Sequence, residues 1–102
     1  MINTLEELGY SDLNDPEIDW FDVCVRKKLS EQFIEMYKNE VGWLWVSRYQ
    51  TLSGAFIEKH ENRIDWEWIV KYQTLSKSFI RKYFQYFDKN KFHNNIHFRI
   101  QL

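Results

Sequence analysis

The sequence predicts an all-α fold: a small array of short helical hairpins from a 23-residue repeat, with an N-terminal cap and a C-terminal cap. Three observations favour it. Apolar motifs recur at one fixed spacing, that spacing does not fit a single straight helix, and capping residues stand at the same place in each copy. We expect one domain over residues 1–102, with the N-terminal cap at 1–17, helical repeats at 18–87, and a degenerate repeat and C-terminal cap at 88–102.

Self-similarity along the chain defines the repeat. Segments 29–35, 52–58 and 75–81 align without gaps at offsets of 23 residues, and each begins with the pattern Leu-Ser-x-x-Phe-Ile. The same offset relates Trp20, Trp43 and Trp66. Tyr-Gln-Thr at 49–51 also recurs at 72–74. So many residue types in one frame indicate a true repeat.

The spacing requires a chain that folds back on itself. Twenty-three residues make about 6.4 turns of α-helix, so equivalent residues of one long helix would rotate by about 140° per copy. The Trp and Phe positions would then spiral around a rod and share no buried face. The spacing is also not a multiple of the coiled-coil periods. A leucine-rich repeat, the structural alternative, needs a Leu-x-Leu alternation and an Asn or Cys ladder, which this chain lacks.

Residues 1–17 do not follow the repeat and are expected to cap its first end. Thr4 and Glu7 have the spacing of a capping box, with Thr4 as the N-cap residue. Gly9 is placed to end that short helix, and Asp15-Pro16 suits the start of the next element.

Each repeat is predicted to hold a first helix of about two turns and a second helix of about three. The first begins near residue 19, 42 or 65 and buries the Trp column. The second follows a Ser N-cap at 30, 53 or 76. Gln50 and Gln73 fall at the turn between the helices, where their amides can satisfy unpaired backbone groups. In the third copy the apolar face of the second helix consists of Leu75, Phe79, Ile80, Tyr83 and Phe87.

The repeat decays toward the C-terminal end. At the next offset Lys89 replaces the Trp. Residues 96–102 alternate between apolar and polar types, which suits either an edge strand or an ordered cap, and we expect the cap.

Composition excludes several classes of protein. Aromatic residues make up 19% of the chain, which excludes a disordered protein, and the single cysteine, Cys24, excludes an internal disulfide framework. No apolar run approaches the roughly 18–20 residues that span a bilayer, and no charged segment leads into an apolar one as in a signal peptide. We therefore expect a soluble protein without membrane contact, in the compartment where it is made.

A resemblance extends this interpretation. Residues 65–80 read Asp-Trp-x-x-Ile-x-x-Tyr-Gln-x-Leu-Ser-x-x-Phe-Ile, which resembles a tandem repeat in proteins of bacteriophages and giant DNA viruses. It covers about residues 18–92, with Gly42 replacing Asp and Lys89 replacing Trp as departures. The resemblance implies a viral or prophage source and an interaction role. By analogy with small phage proteins, it implies an anti-CRISPR, which binds a host nucleic-acid effector directly in the host cytoplasm.

Trp45 and Trp68 are the first candidate for a contact surface. They lie two positions after the predicted core Trp, about 200° around the helix, and should point away from the core. Arg48 and Lys71 follow three positions later, which predicts two Trp–cation pairs of the kind favoured at protein interfaces. The alternative is that each Trp packs on the neighbouring repeat and the cation merely covers it. These four residues predict a non-enzymatic module that binds a host protein.

Nucleic acid is the alternative partner. Basic and aromatic residues interleave toward the C-terminal end, as single-stranded nucleic acid binding requires. Against this, the pI near 6.3 is low for such a domain. Seven acids and no Lys or Arg in residues 1–22 make the other end negative, which would steer it to a basic surface. The candidate nucleic-acid-binding residues are Lys77, Arg81, Lys82, Lys89, Lys91 and Arg99.

No pattern predicts catalysis, a metal site or a cofactor. Paired carboxylates, a nucleophile–base set and a phosphate loop are not evident. His93 and His97 are four residues apart but have no Cys nearby, which is weak support for a metal. His60 shares a column with Tyr37 and Tyr83, so we expect a half-buried packing residue. A homo-oligomer stays open, because an incomplete last repeat would leave an apolar end for a second copy.

Overall fold

The computed structural model describes residues 1–83, and these form six short α-helices without a β-strand, which confirms the predicted fold class. First helices begin at residues 20, 43 and 66 and second helices at 31, 54 and 77, so both sets keep the offset of 23. None of these six helices is long and apolar enough to cross a membrane. The helices are α1 (Trp20–Arg26), α2 (Glu31–Met36), α3 (Trp43–Tyr49), α4 (Gly54–Lys59), α5 (Trp66–Tyr72) and α6 (Lys77–Lys82).

Short polar side chains start most of the helices. The Ser30 hydroxyl accepts a hydrogen bond from the backbone N–H of Phe33 at 3.0 Å, and the equivalent serines before α4 and α6 make the same contact. Asp19 and Asp65 cap α1 and α5 through a carboxylate oxygen in the same way. Gly42 precedes α3 and has no side chain to do so. The predicted Ser N-caps are therefore confirmed.

The second helices are shorter than the three turns that the sequence predicts. Each has six residues and is followed by Tyr37, His60 or Tyr83. These residues leave the helical conformation at φ near −110°, and their rings pack on the Trp of the first helix in the same repeat. The residue after each second helix thus packs on the Trp of its own repeat instead of continuing the helix. Phe87, expected on the same helical face, lies outside the described residues, as do residues 88–102.

The core lies between two rows of helices. Helices α1, α3 and α5 stack side by side, and each packs on the second helix of its own repeat. The predicted Trp column is half-buried there: the Trp43 ring lies 6.2 Å from that of Phe56, and its indole N–H donates to the carbonyl of Lys38. The fully buried side chains between the rows include Val23, Phe33, Ile34, Val46, Ile57, Ile69 and Ile80.

Gln50 joins the second repeat to the first. Its side-chain NH₂ donates to the carbonyls of Cys24 and Lys27, both at 2.7 Å, and its oxygen accepts from the N–H of Leu29 at 2.8 Å. Gln73 makes the same three contacts one repeat later. Both side chains are buried, and their partners are backbone groups that the helices leave unpaired. The expected role of the two glutamines is confirmed.

The N-terminal segment packs against the first repeat. Ile2 lies parallel to Leu29, with backbone hydrogen bonds to Lys28 and Ser30, and Leu5 is buried in the core. These contacts hold the N-terminal residues against the first repeat.

The predicted capping box is present in part. The Glu7 N–H donates to the Thr4 hydroxyl at 3.2 Å, but the Glu7 carboxylate accepts from the N–H of Asn3 rather than that of Thr4. The helix that follows is a 3-10 turn, Glu6–Leu8, whose N-cap residue is Leu5 and not the predicted Thr4. Gly9 ends this turn with φ of 89°, as expected.

Ionic contacts link the second helices. The Glu35 carboxylate lies 2.8 Å from Lys59 Nζ and 2.5 Å from His60 Nε2, and Glu58 pairs with Lys82 at the next junction. The hydrogen bond from Lys59 holds the pKa of Glu35 below its ordinary value, against the opposing effect of burial and with help from His60. The ionised form of Glu35 therefore stabilises the first junction.

Replacing Gln50 with Ala leaves three backbone groups without their partner. A buried unsatisfied group costs about 1–3 kcal/mol, so we expect Gln50→Ala to lower the free energy of unfolding by about 3 kcal/mol or more. Gln32 is exposed on α2, and Gln32→Ala should change it by less than about 0.5 kcal/mol. Urea denaturation followed by circular dichroism measures both values, and equal losses would contradict the joining role of Gln50.

The depressed pKa of Glu35 predicts a loss of stability in acid. Its contribution is complete above the pKa of the unfolded chain, about 4.3, and is lost as the pH falls through the lower value in the fold. The difference in unfolding free energy between wild type and Glu35→Gln should therefore shrink as pH falls from about 6 to 3. Denaturation curves measured across this pH range test the prediction, with Glu17→Gln at an exposed position as the control. If the difference in unfolding free energy between wild type and Glu35→Gln stays constant with pH, the proposed effect of Glu35 ionisation is refuted.

Candidate protein-docking surface

The first helices carry two opposite faces. With about 100° between successive residues, positions 43, 46, 47 and 50 of the second repeat cluster on the core side. Positions 44, 45, 48 and 49 cluster about 180° away. Burial follows this division, because Val46 and Gln50 are buried whereas Leu44 and Tyr49 are exposed. The helical period thus separates a packing face from an outward face in every repeat.

The outward face is rich in aromatic side chains, and we name it the outer ridge. Four of its apolar residues are each 41–50% exposed: Phe21, Leu44, Tyr49 and Tyr72. Exposed aromatic residues next to Arg are typical of protein interfaces. The outer ridge consists of Phe21, Leu44, Trp45, Arg48, Tyr49, Trp68, Lys71 and Tyr72.

Trp45 is half-buried between two repeats. Its ring meets that of Phe21 edge-on at 4.8 Å, and it packs against the core cluster. Trp68 is also half-buried and stacks on Tyr72 at 5.4 Å. Both rings lie on the predicted outward face. Packing on the preceding repeat covers part of Trp45, which is the alternative that the sequence left open, whereas Trp68 contacts Tyr72 of its own helix and Arg48 of the preceding repeat.

Arg48 lies in a cage of three aromatic rings. Its guanidinium carbon is 4.7 Å from the centroid of Tyr49, 4.8 Å from that of Trp68 and 4.2 Å from that of Tyr72. Two of the rings belong to the next repeat, because the long Arg side chain reaches across the junction between α3 and α5. Each such contact is worth about 0.5–1 kcal/mol at an exposed site.

The two predicted Trp–cation pairs are not both formed. Arg48 contacts Trp68 of the next repeat instead of Trp45, and Lys71 Nζ lies 5.3 Å from the same Trp68 ring. Both cations therefore gather at one Trp. Lys71 also has Glu67 at 3.6 Å as a counter-ion.

Arg48 has no such counter-ion among the described residues. Its Nη1 atom is buried and has no hydrogen-bond partner, and no ion pair to Arg48 occurs in residues 1–83. Hydrogen bonding to the side chain of Tyr49, and then to that of Tyr72, raises the pKa of Arg48 above its ordinary value. The guanidinium is thus a permanent cation that two tyrosines and Trp68 hold without a carboxylate among the described residues.

The basic C-terminal candidates fall into two groups. Lys77 and Arg81 are exposed on α6, four positions apart, whereas Lys82 is bound to the Glu58 carboxylate. The structure brings the first two to one helical face. Lys89, Lys91 and Arg99 lie outside the described residues.

The remaining reactive groups have structural environments. Burial raises the pKa of the Cys24 thiol, which keeps it protonated and a poor nucleophile. His60 is buried against Trp43 and paired with Glu35, as a packing residue should be, although its near-complete burial exceeds the expectation. Residues 1–83 contain no cluster of three or more metal-ligating side chains, and His93 and His97 lie beyond them.

The described surface has cavities on two sides of the first repeat. One of about 250 Å³ opens beside Tyr49 and is lined by Lys28, Leu29 and Gln50 among others. The other, of about 350 Å³, lies between the N-terminal segment and Tyr37. Neither brings a Ser, Thr or Cys side chain against a His, so neither has the geometry of nucleophilic catalysis.

Sequence reasoning missed three aromatic members of the ridge. Tyr49 and Tyr72 lie four positions after the two candidate Trp residues, a spacing that places them on the same face. Phe21 stands one position before Asp22, in the column of Leu44. The four-residue spacing from Trp45 and Trp68 could have identified both tyrosines as members of the outer ridge.

No protein-family model matches the chain, and no curated protein or solved structure is significantly similar to it. The resemblance to the viral tandem repeat and every inference about activity therefore stay predictions.

The half-buried position of Trp45 sets its contribution to stability. A fully buried Trp costs about 3–5 kcal/mol when it is truncated to Ala, so we expect Trp45→Ala to cost about 2 kcal/mol. Met36→Ala, at an apolar residue that is 59% exposed, should change stability by less than about 0.5 kcal/mol. Thermal and urea denaturation measure both, and a neutral Trp45→Ala would show that this ring makes no stabilising inter-repeat contact.

Proposed function

We propose that the protein is a non-enzymatic protein-binding module that docks through the outer ridge. The observation that carries the proposal is the exposure of Phe21, Leu44, Tyr49 and Tyr72 on one face, opposite the core. Burying such a surface on a partner gains about 25 cal/mol per Å² of apolar area. Aromatic residues and Arg are also the types that dominate binding energy at interfaces.

Differences between the repeats support the same face. Columns that pack the array keep their residue type, as Trp20, Trp43 and Trp66 do. Columns of the ridge do not: the position of Trp45 and Trp68 is Asp22 in the first copy. Stacking alone does not require aromatic residues there. In repeat proteins a surface that varies from copy to copy is suited to recognition of a partner.

The partner that we propose is a host protein, and specifically a nucleic-acid effector of a CRISPR–Cas-type defence that a phage or virus would inhibit. What supports this is the resemblance of residues 65–80 to the viral tandem repeat. Direct binding in the cytoplasm of the host cell is the corresponding mechanism.

Nucleic acid binding is the second candidate function. Lys77 and Arg81 favour it, because both are exposed at adjacent turns of α6 without an ion pair in the described residues. A steep fall in affinity for labelled single-stranded DNA with rising salt would support it, and no retention at low salt would exclude it.

A charge at the centre of the ridge should abolish docking. Leu44 is 41% exposed on the ridge and Met36 is 59% exposed on α2, so Leu44→Glu and Met36→Glu introduce the same charge on different faces. An unpaired charge at a docked surface costs several kcal/mol, which corresponds to at least a tenfold loss of affinity, about 1.4 kcal/mol per factor of ten. Survival of a targeted plasmid in bacteria with an active CRISPR–Cas system measures the effect.

We expect wild type and Met36→Glu to protect the plasmid and Leu44→Glu to lose protection. No protection by wild type would contradict the proposed inhibitor. A photo-crosslinking residue at position 44, compared with one at position 36, tests docking separately. Crosslinks at 36 but not at 44 would place the docking surface elsewhere.

A further inference from the structure

We propose that the ridge recognises a carboxylate, from an Asp or Glu on the partner protein, that pairs with the caged guanidinium of Arg48. This inference rests on the proposed docking function and specifies its chemistry. The partner would present an acidic residue beside apolar side chains, so that the acid meets Arg48 while the apolar groups cover Leu44 and the tyrosines.

The cage prepares Arg48 for this contact. The rings of Tyr49, Trp68 and Tyr72 fix the guanidinium within 5 Å of their centroids, so little side-chain freedom remains to be lost on binding. Stacking uses the faces of the guanidinium, and its Nη1 atom is buried, so an acceptor from outside meets the edge formed by Nε and Nη2. Two N–H groups side by side suit a carboxylate, which accepts two parallel hydrogen bonds.

The electrostatics favour an incoming anion. A half-buried cation has lost part of its hydration, and only an opposite charge or hydrogen bonds recover that free energy. Among the described residues, the neighbouring Lys71 has Glu67 as a counter-ion and Arg26 has Asp22, but Arg48 has none. Among the cations of the outer ridge, Arg48 is therefore the one at which a carboxylate of a partner protein contributes the most binding free energy.

The same geometry disfavours a phosphate of single-stranded nucleic acid. Bases bind by stacking on open aromatic faces, but Trp68 already has Arg48, Lys71 and Tyr72 against its ring. A discrete carboxylate needs no open ring face and does not meet this obstacle.

The test uses a random dodecapeptide display library selected on the full-length protein. The variants are Arg48→Gln, which removes the charge, Arg48→Lys, which keeps the charge but not the fork, and Arg81→Gln, which removes an exposed charge on α6. Circular dichroism verifies that each variant is folded. Affinities of the enriched peptides are measured by fluorescence anisotropy, together with peptides in which each Asp or Glu is changed to Asn or Gln.

We expect wild type to enrich peptides with Asp or Glu next to apolar residues. Because Arg48→Gln removes a charge-assisted contact, it should weaken binding of these peptides about tenfold or more, whereas Arg81→Gln should weaken it less than twofold. Arg48→Lys should lie between them. Amidation of the critical acid should weaken binding to wild type but not to Arg48→Gln, which is the signature of a direct pair.

Other outcomes overturn the inference. In one such outcome, enriched peptides shift the NMR resonances of ridge residues, while amidation of their acids weakens binding to wild type and to Arg48→Gln equally. That result would refute the pairing of a carboxylate with Arg48 and would leave the docking function standing. Peptides that map elsewhere, or a library without enrichment, would refute both. Binding of a twelve-nucleotide single-stranded DNA that is lost in Arg48→Gln would assign the site to nucleic acid instead.

Discussion

The buried carboxamides of Gln50 and Gln73 join each repeat to the one before it. A hairpin of two short helices is not stable alone, because few backbone hydrogen bonds repay the entropy of ordering it. Each Gln satisfies three backbone groups that the preceding hairpin leaves unpaired, and it does so where water has little access. The array therefore holds together through its junctions, where these contacts fix the register between successive repeats.

That register separates the packing surface from the recognition surface. Because the helical period sends positions 43 and 46 to the core, it sends positions 44 and 48 outward at every junction. Arg48 then meets the rings of the next repeat, and within residues 1–83 a local cluster of aromatic and cationic groups forms at the second junction and not at the first. At the first junction the equivalent residue is Val25, so the same architecture presents different chemistry along one ridge.

Much of the fold could be predicted from the sequence, since the 23-residue period and the Ser N-caps depend on neighbouring residues. The ends of the second helices could not, because Tyr37 and its equivalents leave the helix to pack on a Trp that is about 17 residues away. Local spacing also could not predict the contacts of Arg48 with Trp68 and Tyr72, since it indicated Trp45, three positions before Arg48. The contact with Tyr72 spans 24 residues, and it depends on how far a long side chain extends between stacked helices.

Native-state hydrogen exchange tests the central claim that the repeats are stable only as a joined array. The amides of Leu29 and Leu52 donate to Gln50 and Gln73 and report directly on the two junctions. The account predicts that both exchange only on global unfolding, with one common free energy that matches urea denaturation. Exchange of either amide at a much lower free energy, independently of the other, would show that the hairpins open separately and would contradict the account.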